Sequence, residues 1–149
     1  GPTLDQLVAS DEITLNIHAI SILDRASQGT EYSTRSASAA YCVAVDDPAN
    51  VPAFVKALYA QQPSENTAGL DDATLASIAT SVGASDAATS CISDGTYTRF
   101  VTAMTQNTPV QPGSGGIATP TIAVDGTVLA NQTDLTGDPQ KDIVDRLDG

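Results

Sequence analysis

Cys42 and Cys91 are the only thiols in the 149 residues. Dithiol redox chemistry needs both sulfurs within one helical turn, as Cys-x-x-Cys supplies, and a separation of 49 positions denies them that role. A free cysteine is otherwise often buried like a small apolar side chain. His18 is the only histidine, and its neighbours place it on the polar side of an alternating run, where a lone imidazole is more often a surface residue than a base or ligand. Without a second histidine or a thiolate cluster there is no zinc set, and Leu135 occupies a ligand position in the one stretch, Asn131 to Asp138, that resembles a calcium loop. Gly113-Ser114-Gly115-Gly116 lacks the Lys-Ser/Thr of a phosphate loop and the strand before it, and Ser114 is not set in a Gly-x-Ser-x-Gly elbow. The sequence therefore predicts no catalytic residue, no metal and no cofactor within these residues.

Charge narrows the partners. Eighteen acidic against six basic residues give a net charge of −12, and the basic ones never adjoin, so nothing here could neutralise a row of phosphates. Nucleic acid is not an expected partner. No apolar run approaches the ~18 residues of a membrane helix, and the first residues lack the regions of a signal peptide, which by itself says little about compartment. The length suits one domain. With no tryptophan and only two Phe, the core must be built from Ala, Val, Leu and Ile, a composition that favours close helix packing.

The elements that would position these residues follow from spacing. Leu4, Leu7 and Val8 share a helical face that ends at Asp11-Glu12, and Ile13 to Ile20 alternates apolar and polar as a strand does. Helices are predicted from Tyr32 to Val45, from Val51 to about Gln61, after an Asp71 N-cap stapled by Leu70 and Leu75, around Asp86 to Ser93, and through Tyr97, Phe100, Val101 and Met104. Asp125-Gly126 between Thr121-Ile122-Ala123-Val124 and Thr127-Val128-Leu129 predicts a hairpin. Asp138 and Pro139 then open a last helix that buries Ile143, Val144 and Leu147. In isolation, Thr119-Pro120 reads as an ordinary trans bond entering an edge strand.

This order resembles the DsbA-like branch of the thioredoxin fold, an α/β fold in which a helical domain interrupts the core and a hairpin and final helix complete it. The most specific local match is Gly116-Ile117-Ala118-Thr119-Pro120-Thr121-Ile122-Ala123-Val124-Asp125-Gly126. It is similar to the family's Gly-(Val/Ile)-x-(Thr/Val)-Pro-Thr strand and Asn/Asp-Gly turn. Ser21 to Asp24, Tyr32 to Arg35 and Ala39-Ala40-Tyr41-Cys42 resemble actinobacterial envelope members in particular.

The resemblance implies one domain over 1–149, with 1–31 and 108–149 as the thioredoxin-like core and 32–107 as the helical insertion. It implies a cis bond before Pro120, a substrate groove at Ala118, Thr119 and Pro120, and pairing of the exposed Thr119 backbone with an extended peptide. It implies a second, non-catalytic bridge between Cys42 and Cys91, with two separate buried thiols as the alternative. A bridge would point to an oxidising, extracytoplasmic compartment. Gly1 to Ala9 resembles the later part of the family's active-site helix. The expectation is thus that a strand and the Cys-x-x-Cys precede Gly1, or that another chain supplies the strand. The implied activity is thiol-disulfide oxidoreduction on exported proteins, with unfolded or extended polypeptides and a redox partner protein as partners. A non-redox peptide-binding or protein-binding module is the alternative. Oligomeric state is left open.

Overall fold

The computed structural model describes residues 2–147. They form two compact units, one made of the residues up to 17 together with those from 108 on, the other of residues 18–107.

The second unit contains five α-helices: α2 (Tyr32–Asp46), α3 (Val51–Ala60), α4 (Asp72–Ser81), α5 (Asp86–Ser93) and α6 (Thr98–Gln106). Side-chain caps set the starts of α4 and α5. Asp71 accepts the Thr74 N–H at 2.8 Å to open α4, and Ser85 accepts the Ala87 N–H to open α5. Glu31, at the N-cap of α2, gives no side-chain cap. Asp24 replaces it from a preceding 3₁₀ turn, accepting the Thr34 N–H at 2.9 Å and the Thr34 hydroxyl at 2.6 Å. Leu70 and Leu75 both pack into the core, as a hydrophobic staple requires.

That core is small-residue rich, with Ala39, Val43, Phe54, Leu75 and Ala79 fully inaccessible. Alanine on α2 and α5 lets the two helices approach closely, and a disulfide between Cys42 and Cys91, Cα atoms 5.8 Å apart, joins them. Arg35 ties the loops at one end, donating to the Thr30 and Leu70 carbonyls at 2.8 and 2.9 Å and to Asp72 at 2.8 Å. Residues 18–31 belong to this unit by their contacts, through Tyr41 Oη donating to the Ala19 carbonyl and Ser21 N–H to Thr105 Oγ1. Phe100 is half exposed, its ring edge-to-face with Tyr41, so the buried side of α6 is carried by Val101 instead.

In the first unit, α1 (Pro2–Ala9) buries Leu7. The alternating run that follows departs from expectation: Ile13 to Ile20 is not a strand. Alternation specifies two unlike faces, but a strand exists only when its N–H and C=O groups find a ladder partner, and none pairs with this run among the described residues. Leu15 and Ile17 are accordingly 47% and 45% exposed.

The hairpin forms, shorter than the apolar runs suggest. β1 (Ala123–Val124) pairs antiparallel with β2 (Thr127–Val128), and one further bond, Leu129 N–H to the Ile122 carbonyl, extends the contact. Asp125 and Gly126 both have positive φ, 47° and 80°, as a two-residue type I′ connection demands.

The closing helix also differs. Asp138 Oδ1 caps the Gln140 N–H, but Gln140–Val144 is a π-turn before the single turn α7 (Asp145–Leu147). Its buried residue is Asp142, whereas Ile143, Val144 and Leu147 are only partly buried. Asp142 turns inward because the Thr136 and Gly137 N–H groups and the Thr136 hydroxyl all need an acceptor, and its carboxylate serves the three. The Thr136 N–H, first among these, holds that carboxyl below the usual carboxylate range.

Candidate functional site: the Thr119-Pro120 edge

The loop before β1 carries the groove residues suggested by the sequence. The Thr119–Pro120 peptide bond is cis. Both residues are exposed, and Ala118 is partly buried. No ladder reaches this loop, since the last backbone contact of the hairpin is at Ile122. Side chains hold it instead. Thr121 Oγ1 donates to the Ala118 carbonyl at 2.6 Å. Gln111 Nε2 donates to the Pro120 carbonyl at 2.8 Å, and Asn131 Nδ2 donates to the same oxygen at 2.9 Å. With both lone pairs of Pro120 taken and its nitrogen without a hydrogen, the remaining backbone donor and acceptor of the Thr119–Pro120 pair belong to Thr119. Neither is hydrogen-bonded among the described residues. An exposed N–H and C=O on one residue can exchange two bonds with one residue of an extended strand laid antiparallel.

Gln111 and Asn131 were not legible as part of this site. Gln111 lies in a Pro- and Gly-rich stretch without periodicity, yet it is only 5% exposed. Asn131 follows the hairpin in the same manner. The only available hint was an amide side chain on either side of the Thr-Pro motif.

The other candidates, both cysteines and His18, belong to the second unit. Cys42 and Cys91 are in the helical unit, whereas Ala118, Thr119 and Pro120 are in the first. Cys42 is 2% exposed and both sulfurs are in the bridge, so neither is a free thiol. His18 is exposed. Among the described residues no three His, Cys, Asp or Glu are gathered as a metal site, and no helix is long and apolar enough to cross a membrane.

Comparison with known proteins assigns the architecture. The family model described as Thioredoxin (Thioredoxin_4) matches residues 3–139. The chain belongs to the thioredoxin family. Within it the likeness is to DsbA-like proteins. The reduced form of the disulfide bond oxidoreductase DsbG from Mycobacterium tuberculosis superposes with a TM-score of 0.76 at 34% identity, over 86% of this chain and 60% of that one. Oxidised DsbA of the same organism gives 0.74 at 33% identity, over 87% and 64%. The serine/threonine-protein kinase PknE of M. tuberculosis is 36% identical over 138 residues, which is 88% of this chain and 24% of the kinase; PknE of Mycobacterium bovis gives the same figures. This thioredoxin-family chain thus spans about a quarter of those kinases and under two thirds of the DsbA and DsbG chains. Its fold is thioredoxin-like, with helices predominating over a small sheet.

Proposed function

We propose that this chain is the substrate-holding part of a DsbA-like thiol-disulfide oxidoreductase that works outside the cytoplasm on cysteines of exported proteins. The observation that carries the reading is the Thr119 edge, an exposed residue whose backbone donor and acceptor have no hydrogen-bond partner among the described residues, on a loop fixed by side chains on both sides. An unfolded or extended polypeptide adds there as a short strand. The redox sulfurs are a Cys-x-x-Cys outside these 149 residues, because both cysteines present are bridged to each other. In the exchange, a thiolate of the partner being oxidised attacks the disulfide of the other partner, forming a mixed disulfide and releasing one thiolate. Its second thiolate then breaks the mixed disulfide, leaving itself as a disulfide and the other partner as a dithiol, two electrons having passed between them. A redox partner protein resets the pair. The Cys42–Cys91 bridge suits an oxidising compartment.

A second reading is a non-redox module that holds peptides or a partner chain at the same edge. It is favoured by the absence of any free thiol and by the likeness to a kinase rather than only to oxidoreductases. The full-length polypeptide that carries this sequence separates the two when given a fluorescent disulfide-linked peptide. Turnover abolished by alkylating the reduced protein supports the oxidoreductase. Peptide binding with no exchange supports the module. Neither binding nor exchange contradicts both.

A further inference from the structure

The geometry points to Gln111 and Asn131 as positioning residues that hold the Thr119 edge in its peptide-accepting shape. The inference rests on the reading of that edge as a peptide site. Residues 118–121 have no backbone–backbone hydrogen bond among the described residues, so side-chain bonds alone fix this loop. Gln111 makes two of them and a third bond to Asn131. Its Nε2 meets the Pro120 carbonyl at 2.8 Å and Thr121 Oγ1 at 3.2 Å, and its Oε1 accepts the Asn131 N–H at 3.3 Å.

Asn131 completes the clamp from the far side of the hairpin. Its Nδ2 reaches the Pro120 carbonyl at 2.9 Å, while its Oδ1 is shielded from solvent without a partner. An unpaired buried acceptor is unfavourable. The amide is nevertheless turned this way, because the opposite orientation would set two oxygens against each other at Pro120. Two amides thus converge on one carbonyl, leaving Thr119, which is hydrogen-bonded to neither, as the residue they present. Gln111 is 5% exposed and comes from an irregular segment, so its burial is explained by these bonds and not by membership of a helix or strand.

The test uses the chain with Gln111→Ala, Gln111→Glu, Asn131→Ala and Asn131→Asp, and Gln132→Ala as an exposed control. The probe is a fluorescein-labelled ten-residue peptide of alternating Ser and Val with a central S-methylated cysteine. Losing a donor to the Pro120 carbonyl is expected to weaken peptide binding about tenfold in each clamp variant and not in the control. The two isosteric acids keep side-chain volume, so they remain informative if the alanine variants fold poorly. Positioning is separated from general stability by the amide signals: those of Thr119 and Thr121 shift or broaden, while Val124 and Val128 in the hairpin keep theirs. Equal binding by the unaltered chain and the folded variants overturns the clamp alone. Weakened binding with an unchanged Thr119 signal also overturns it. If the unaltered chain does not bind the probe, the peptide-site reading fails and the clamp's role fails with it.

Discussion

Cys42 on α2 and Cys91 on α5 close a covalent loop of 49 residues through the middle of the helical core, with Cys42 2% exposed. The chain-entropy account assigns a loop of that size a stabilisation of about 4 kcal/mol, by restricting the unfolded chain. Reduction under denaturing conditions, or Cys42→Ala with Cys91→Ala, is therefore expected to lower unfolding stability by about that amount. Urea unfolding with and without reductant measures it. An unchanged midpoint, or two thiols titrated in the unreduced denatured protein, would contradict the bridge.

Leu75 is fully buried in the helical core and follows the Asp71 cap by one turn. Leu75→Ala should cost about 3 kcal/mol, since an alanine-rich core has few long side chains able to refill the cavity. Denaturant unfolding is the check, and a loss below about 1 kcal/mol would mean the site collapses around the change.

Gly69 has φ +72°, and a Cβ placed there would collide with the ring of Tyr32. Gly69→Ala combines a disfavoured backbone conformation with a clash against a ring that also lies under Arg35. Thermal unfolding should drop more for Gly69→Ala, which adds a clash to the backbone strain, than for Gly113→Ala, which carries the backbone strain alone. Both glycines have positive φ, but around Gly113 nothing comes within 4 Å.

Acid should weaken the fold through three aspartates. Hydrogen bonds from the Ser85 hydroxyl and N–H lower the Asp46 pKa, Thr74 does the same for Asp71, and the Thr136 N–H leads for Asp142. A carboxyl whose folded pKa lies below its unfolded value contributes fully above the unfolded value. That contribution is lost as pH falls through the folded one. The unfolding midpoint should hold near neutrality and decline as pH drops below about 4. The Asp46→Asn, Asp71→Asn, Asp142→Asn triple variant should show a flatter acid limb. A midpoint that rises on acidification would reverse the sign and contradict these assignments.

Much of the helical unit was readable because its signals are local. Asp71 with Leu70 and Leu75 fixes a helix start within a few residues, and Gly83, at φ +99°, stops the same helix. Asp125-Gly126 specified its turn for the same reason. Ile13 to Ile20 could not be settled locally, since pairing depends on a second segment that alternation does not reveal. Asp142 was equally hidden: its burial answers to donors at Thr136 and Gly137, six and five positions earlier, not to any apolar stripe. At the candidate site, Thr119-Pro120 stood out through a motif. Gln111 and Asn131 did not, because a side chain that bonds a carbonyl nine or eleven residues away leaves no periodic trace.

The central claim is that Thr119 pairs with an extended peptide, and amide chemical-shift mapping of the chain during titration with the Ser/Val peptide tests it most directly. The account predicts that the Thr119 N–H shows the largest change and slows its exchange with solvent on binding. A largest change in the helical unit, around Arg35 or Tyr41 for example, with Thr119 unmoved at saturation, would contradict it.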